Sequence, residues 1–314
     1  MLDLVPAARS AAIKTQKMRF DADATLDEVL DFILHSALQR LTESQPAARD
    51  SRDPEGIHQY RVALRRFRSV LGMMRPIVPS PQLEFLRGEA KWLMSALDEA
   101  RAWDVFVTET LPPAVRDHPS FEGFDALHDM AQSHRQAARD KARAAITSPR
   151  TAQFHITVGL WIERGGWREE AVPESRNLLA EPARDFAGET LGRLHRKTLK
   201  RGRNFKHLTP QERHRVRLAF KKLRYTADFF LPLFERRRKA RRFARTLAAM
   251  QDEFGHFNDL AGAEALIRQI VAGAIPLEAH RAAGALLGWR LRQLELADKR
   301  LRSAWRRFRT VRLP

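Results

Sequence analysis

Apolar residues return along this chain every three or four positions. Leu26, Val29, Leu30, Ile33, Leu34, Leu38 and Leu41 form one such series, Leu83, Leu86, Ala90, Leu93 and Leu97 a second, and Leu260, Ala263, Ile267 and Ile270 a third. A last segment carries the spacing through Leu287, Leu291, Leu294, Leu301, Trp305 and Phe308. At 3.6 residues per turn each series falls on one helical face. No comparable set of alternating, strand-like runs accompanies them. The pattern predicts an all-α chain of antiparallel bundles. Gly165, Gly166, Pro173 and Pro182 break the periodicity near the middle. They divide one domain, 21–314, into halves of about 21–165 and 183–314, behind an N-terminal extension of residues 1–20.

An internal repeat supports that division. Residues 58–68 read HQYRVALRRFR and residues 214–224 read HRVRLAFKKLR, an offset of 156 positions. His58 matches His214, Arg61 matches Arg217, Arg65 and Arg66 match Lys221 and Lys222, and Arg68 matches Arg224. Asp53-Pro54 and Thr209-Pro210 each put a capping residue before a first-turn proline, and Glu212 completes a capping box in the second copy. The coincidence of caps and charges reads as a duplication, with two pseudo-symmetric bundles as its product.

At about 100° per residue, positions 58, 61, 65 and 68 share one narrow arc, as do 214, 217, 221 and 224. Beside the first stripe Tyr60, Leu64, Phe67, Leu71 and Met74 make an apolar face, matched by Val216, Phe220, Leu223 and Phe230. The cations must therefore border the core. Like charges stacked at this spacing repel by a few tenths of a kcal/mol per pair, which an anionic chain would relieve. An ordinary solvated face explains one arginine-rich helix, but has no reason to keep one histidine and three cations at the same angles twice. The run Arg236, Arg237, Arg238, Lys239, Arg241 and Arg242 has no such twin, nor do Arg306, Arg307 and Arg309, and these read as solvated faces. A second basic segment, Arg193 to His207, adds Arg193, His195, Arg196, Lys200, Arg201 and Arg203 as an extension of the groove, with Gly202 a candidate helix end.

Composition sharpens the picture. The 314 residues are 44% hydrophobic, enough for a sizeable core, and 56 Lys and Arg against 38 Asp and Glu leave a formal charge of +18. An excess of that size implies an acidic partner. The absence of cysteine excludes disulfides and thiolate metal sites and fits a reducing compartment. Asp3 stands where a secretory signal would be apolar, and no apolar run approaches the roughly 20 residues that span a bilayer. The expectation is a cytoplasmic protein without a membrane segment.

These residues closely resemble the CHAD family, the conserved histidine α-helical domain. The resemblance is carried by DPEGIHQYRVALRRFRSVL at 53–71, AKWLMSALDEARAWDVF at 90–106, LKRGRNF at 199–205, PQERHRVRLAFKKLRYTADFF at 210–230 and FGHFNDLAGA at 254–263. It implies two pseudo-symmetric helical bundles around a positively charged central groove or pore, and a role in binding inorganic polyphosphate, with the histidines that name the family at His58 and His214. Within 90–106, Lys91 and Arg101 join the candidate groove residues. One departure is Arg101-Ala102 where the family has an Arg-Asp pair, whereas the second half keeps Asn258-Asp259. The Glu-x-Glu-x-Lys signature of the triphosphate-tunnel domain that often accompanies the family is missing, so the chain reads as a stand-alone copy.

Three functions compete. Catalysis calls for metal-binding carboxylates, a phosphate-loop lysine or a nucleophile with its base, and none stands at informative spacing; Asp98, Glu99, Asp252 and Glu253 read as salt-bridge partners. No metal or cofactor is expected. Nucleic acid shares the phosphate chemistry, but sequence-independent strand binders add aromatic stacking platforms, and here the two tyrosines and most Phe and Trp residues fall on apolar faces. Polyphosphate, held without catalysis and with the protein gathered on polyphosphate granules, is the leading expectation.

Overall fold

In the computed structural model residues 20, 21, 23–50, 54–234, 237–273 and 275–314 are described. Asp3, most of the N-terminal extension, the expected cap Asp53, the residue Arg236 and the side chain of Arg237 lie outside them.

Thr25 and Glu28 cap the first helix reciprocally: Thr25 N donates to Glu28 Oε2 at 2.8 Å, and Glu28 N to Thr25 Oγ1 at 3.3 Å. Helix α1 (Leu26–Asp50) buries Leu26, Val29, Leu30, Ile33, Leu34 and Leu41 as its spacing predicts, and packs along α2 (Pro54–Met74) as a hairpin. Gly56 allows the close approach, because a Cβ there would stand 2.4 Å from the Ala47 carbonyl oxygen. The chain continues through α3 (Pro81–Ala96), α4 (Asp98–Val105), a π-helical turn (Phe106–Thr110), α5 (Leu111–Asp117), α6 (Phe124–Ile146), α7 (Pro149–Glu163), α8 (Gly166–Glu169) and α9 (Pro173–Ala180). A second hairpin follows, α10 (Ala183–Arg201) with α11 (Pro210–Phe230), and then the long helices α12 (Arg237–Val271) and α13 (Leu277–Arg309). Gly202 ends α10 as expected. Among the described residues no strand forms, only an isolated bridge between Thr25 and Pro182.

Helices α2 and α11 are both 21 residues long, and their first and last residues keep the offset of the sequence repeat. The expected box at α11 is present, with Thr209 N donating to Glu212 Oε2 at 2.8 Å and Glu212 N to Thr209 Oγ1 at 3.2 Å. The interrupted stretch 165–182 folds as α8 and α9, and α9 packs against α1. Contacts of α2 with α11, of α4 and the π-helical turn with α12, and of α6 with α13 join the two hairpins over a continuous apolar core.

The buried seam of α13 differs from the sequence reading at one turn. Leu291 is exposed, and the seam runs through Leu286, Arg290, Ala297 and Leu301. Arg290 tolerates burial because Nη2 donates to Glu264 at 2.6 Å and Nη1 to the Leu260 carbonyl at 3.3 Å. His195 also belongs to the core, edge-on to Phe243 and Phe308 at ring separations of 5.8 and 5.3 Å. Asp104 is fully buried between Arg135 Nε at 2.7 Å and Arg139 Nε at 3.0 Å, which fastens α4 to α6.

Candidate functional site

The apolar faces of α2 and α11 are buried as the periodicity requires, with Tyr60, Leu64, Phe67, Leu71 and Met74 on one and Val216, Phe220, Leu223 and Phe230 on the other. Their basic flanks then meet beside the core. Between them, α4, the π-helical turn and α12 enclose a cleft of about 860 Å³. Its cations are Arg61 and Arg65 from α2, Arg101 from α4, and Arg217 and Lys221 from α11, with His58 and His256 at its walls. Asp98, Glu109, Asp252 and Asp259 line it as well.

Two arginines are already engaged. Arg61 Nη1 donates to Asp98 Oδ1 at 2.6 Å and to the Met94 carbonyl at 3.1 Å, and Arg101 Nη2 donates to Glu109 Oε1 at 3.1 Å. The other three side chains, Arg65, Arg217 and Lys221, have no hydrogen-bond or ion-pair partner among the described residues. The carboxylates do not neutralise the centre. Burial, then Arg217 and Arg65, push the Lys221 ammonium down to about 8, with Asp259 offsetting only part. Burial likewise lowers Arg217 and, reinforced by Arg101, His58, so His58 is held neutral. Asp259 moves the other way, raised by burial and by Glu109 against the pull of Arg101 and Arg217.

The remaining candidates lie outside this cleft. His214 is exposed near the start of α11: the cleft is lined by α2 from His58 to Arg65 but by α11 only from Arg217 to Lys221. Arg66 points to the other flank of its helix, where its guanidinium stands 4.9 Å from the Phe229 ring centre, and burial followed by Arg40 and Arg224 lowers it to about 10. Arg224 pairs with Asp228. Arg68 is half-buried near Arg87. Lys222 is exposed in a second basic group with Lys197, Arg193, Arg87 and Arg75. Lys91, Arg196, Lys200, Arg201 and Arg203 are exposed, and Arg201 Nη1 donates to the Arg215 carbonyl at 3.2 Å. Of the acidic residues, Glu99 pairs with Lys141 and Glu253 with Arg300. Sequence reasoning missed Glu109 and His256. Glu109 owes its place to the π-helical turn, which no local motif announces; π-turns concentrate at functional sites.

Fold and cleft together define an all-α domain in which two arginine-rich histidine helices face each other across a charged cavity. The chain belongs to the CHAD domain family, which it matches over residues 32–268. The crystal structure of the CHAD domain from the plant Ricinus communis is similar at 30% identity over 98% of this chain and 99% of that one, with a TM-score of 0.80. PptA from Streptomyces chartreusis shares the fold at 16% identity over 90% of this chain and 100% of its own, with a TM-score of 0.65. No curated protein matches the chain. No helix among the described residues is long and apolar enough to cross a membrane.

Proposed function

We propose that this protein binds inorganic polyphosphate in the cleft between α2 and α11 without turning it over, and that binding gathers it on polyphosphate granules in the cytoplasm. One observation carries the reading: Arg65, Arg217 and Lys221 converge from two helices with no carboxylate partner of their own. A phosphate chain offers each a charge-assisted contact. The cleft's phenylalanines, Phe106, Phe220 and Phe254, are core residues no more than 5% exposed, so they offer no face to a nucleobase. Family membership agrees with such a ligand, and the matched helices of the repeat agree with a duplicated binding helix. The exposed cations Arg193, Arg196, Lys200, Arg201, Arg203, His214 and Lys222 extend the basic surface beyond the cleft. The test is competition at physiological salt between long-chain polyphosphate and single- and double-stranded nucleic acid of equal phosphate number. Polyphosphate is expected to win; equal or better competition by DNA or RNA overturns the reading in favour of nucleic acid.

Binding is expected to weaken as pH rises. Lys221 titrates near 8 in the free protein, and a bound phosphate raises that value, because it favours the ammonium. Affinity is therefore greatest below the free value and falls between it and the bound value, by up to about tenfold from pH 7 to 9. Isothermal titration calorimetry in buffers of different ionisation enthalpy should register proton uptake near pH 8.5. Lys221→Arg, charged throughout, should flatten the profile.

A further inference from the structure

The cleft carries its own anions in an uneven arrangement. Arg61 and Arg101 are held by packing, their side chains 16% and 23% exposed, whereas the carboxylates they bind, Asp98 and Glu109, are 60% and 57% exposed. Each pair thus has a fixed cation and a water-facing anion that leaves without uncovering the core. Both anions come from the segment that closes one side of the cleft. Asp98 stands one turn before Ala102 on α4, and both line the cleft. Glu109 is delivered by the π-helical turn. The opposite side, α11, leaves Arg217 and Lys221 open.

We infer that Asp98 and Glu109 are tethered competitors for phosphate that make the cleft select long chains over short ones. The inference rests on the polyphosphate reading above. A tethered carboxylate acts on its arginine at an effective concentration in the millimolar range or higher. A short phosphate at micromolar concentration engages Arg65, Arg217 and Lys221 but does not displace both latches. A long chain anchored on those three side chains presents its next phosphates intramolecularly, at a comparable effective concentration, and so opens Arg61 and Arg101. Discrimination comes from a built-in rival as much as from attraction.

The test measures tripolyphosphate and long-chain polyphosphate binding to the parent protein, to Asp98→Asn/Glu109→Gln, to the charge-keeping variant Asp98→Glu, and to a control pair, Asp129→Asn/Glu174→Gln, altered at exposed positions away from the cleft. Circular dichroism and thermal unfolding verify the fold, which substitutions at such exposed carboxylates should leave intact. The double variant is expected to gain tenfold or more for tripolyphosphate and less than threefold for the long chain, while Asp98→Glu and the control pair stay within threefold of the parent for both. If the parent binds but the double variant gains nothing, gains equally for both ligands, or gains no more than the control, the latch is overturned and the polyphosphate reading stands. If neither parent nor variants bind either ligand, both fall.

Discussion

Replacing Arg65 and Lys221 together by glutamate is expected to lower polyphosphate affinity at least about a hundredfold, roughly 2.7 kcal/mol, while the same change at Arg238 and Arg241 costs less than about fivefold. The two double variants alter net charge equally, so a diffuse electrostatic attraction would weaken both alike. They differ in placement. Arg65 and Lys221 line the cleft, close enough that Arg65, after burial and Arg217, helps lower the Lys221 ammonium. Arg238 and Arg241 are exposed on the first turns of α12, outside the cleft. Each cleft substitution removes a charge-assisted contact worth roughly 1.5–3 kcal/mol and adds a local repulsion. The control substitutions change a field screened over about 8 Å at physiological salt. Equilibrium titration at several salt concentrations should also give the cleft variant a shallower salt dependence, since it neutralises fewer phosphates. Because the stems of Arg65 and Lys221 border the core, both variants must first show parental helicity by circular dichroism. Equal losses in two folded proteins would dissociate the ligand from this cleft.

A larger effect on stability is expected at Asp104, which has no exposed surface and accepts from Arg135 and Arg139. Asp104→Ala removes the carboxylate that Arg135 and Arg139 share, their side chains only 14% and 9% exposed, and such removal of one partner from a buried ionic group costs roughly 3–5 kcal/mol. Chemical denaturation should show a lower midpoint with an unchanged slope. Replacing the whole group by apolar residues of similar volume should recover most of that loss, because breaking a buried pair and replacing it are different perturbations. Helix α4 also carries Arg101, so polyphosphate affinity in the single variant is best measured well below its unfolding midpoint. A loss under about 1 kcal/mol would mean that water reaches Arg135 and Arg139 freely.

Local rules carried the fold a long way. The apolar series at 26–41 and 83–97, the cap at Thr209 and Glu212, the stop at Gly202 and the apolar faces of both histidine helices were all legible, because each depends on residues within one or two turns of one another. The repeat made Arg61, Arg65, Arg217 and Lys221 stand out as flanks of buried faces, and the cleft gathers those four. The seam of α13 was misjudged at Leu291 because periodicity counts apolar residues and has no means of seeing that Glu264, on another helix, makes Arg290 a core residue.

The sequence by itself determined which helices form, which of their faces are buried and which cations border the core. Only the tertiary structure decided which of those cations share a cavity. Angle on a single helix made His58 and His214 equivalent; the way α2 and α11 meet left one against Arg101 and Glu109 and the other in solvent. It likewise sent Arg66 to Phe229, and it drew Asp98 and Glu109 onto the arginines, since the energy of a charge depends on neighbours that come from distant parts of the chain and on how far burial has removed them from water.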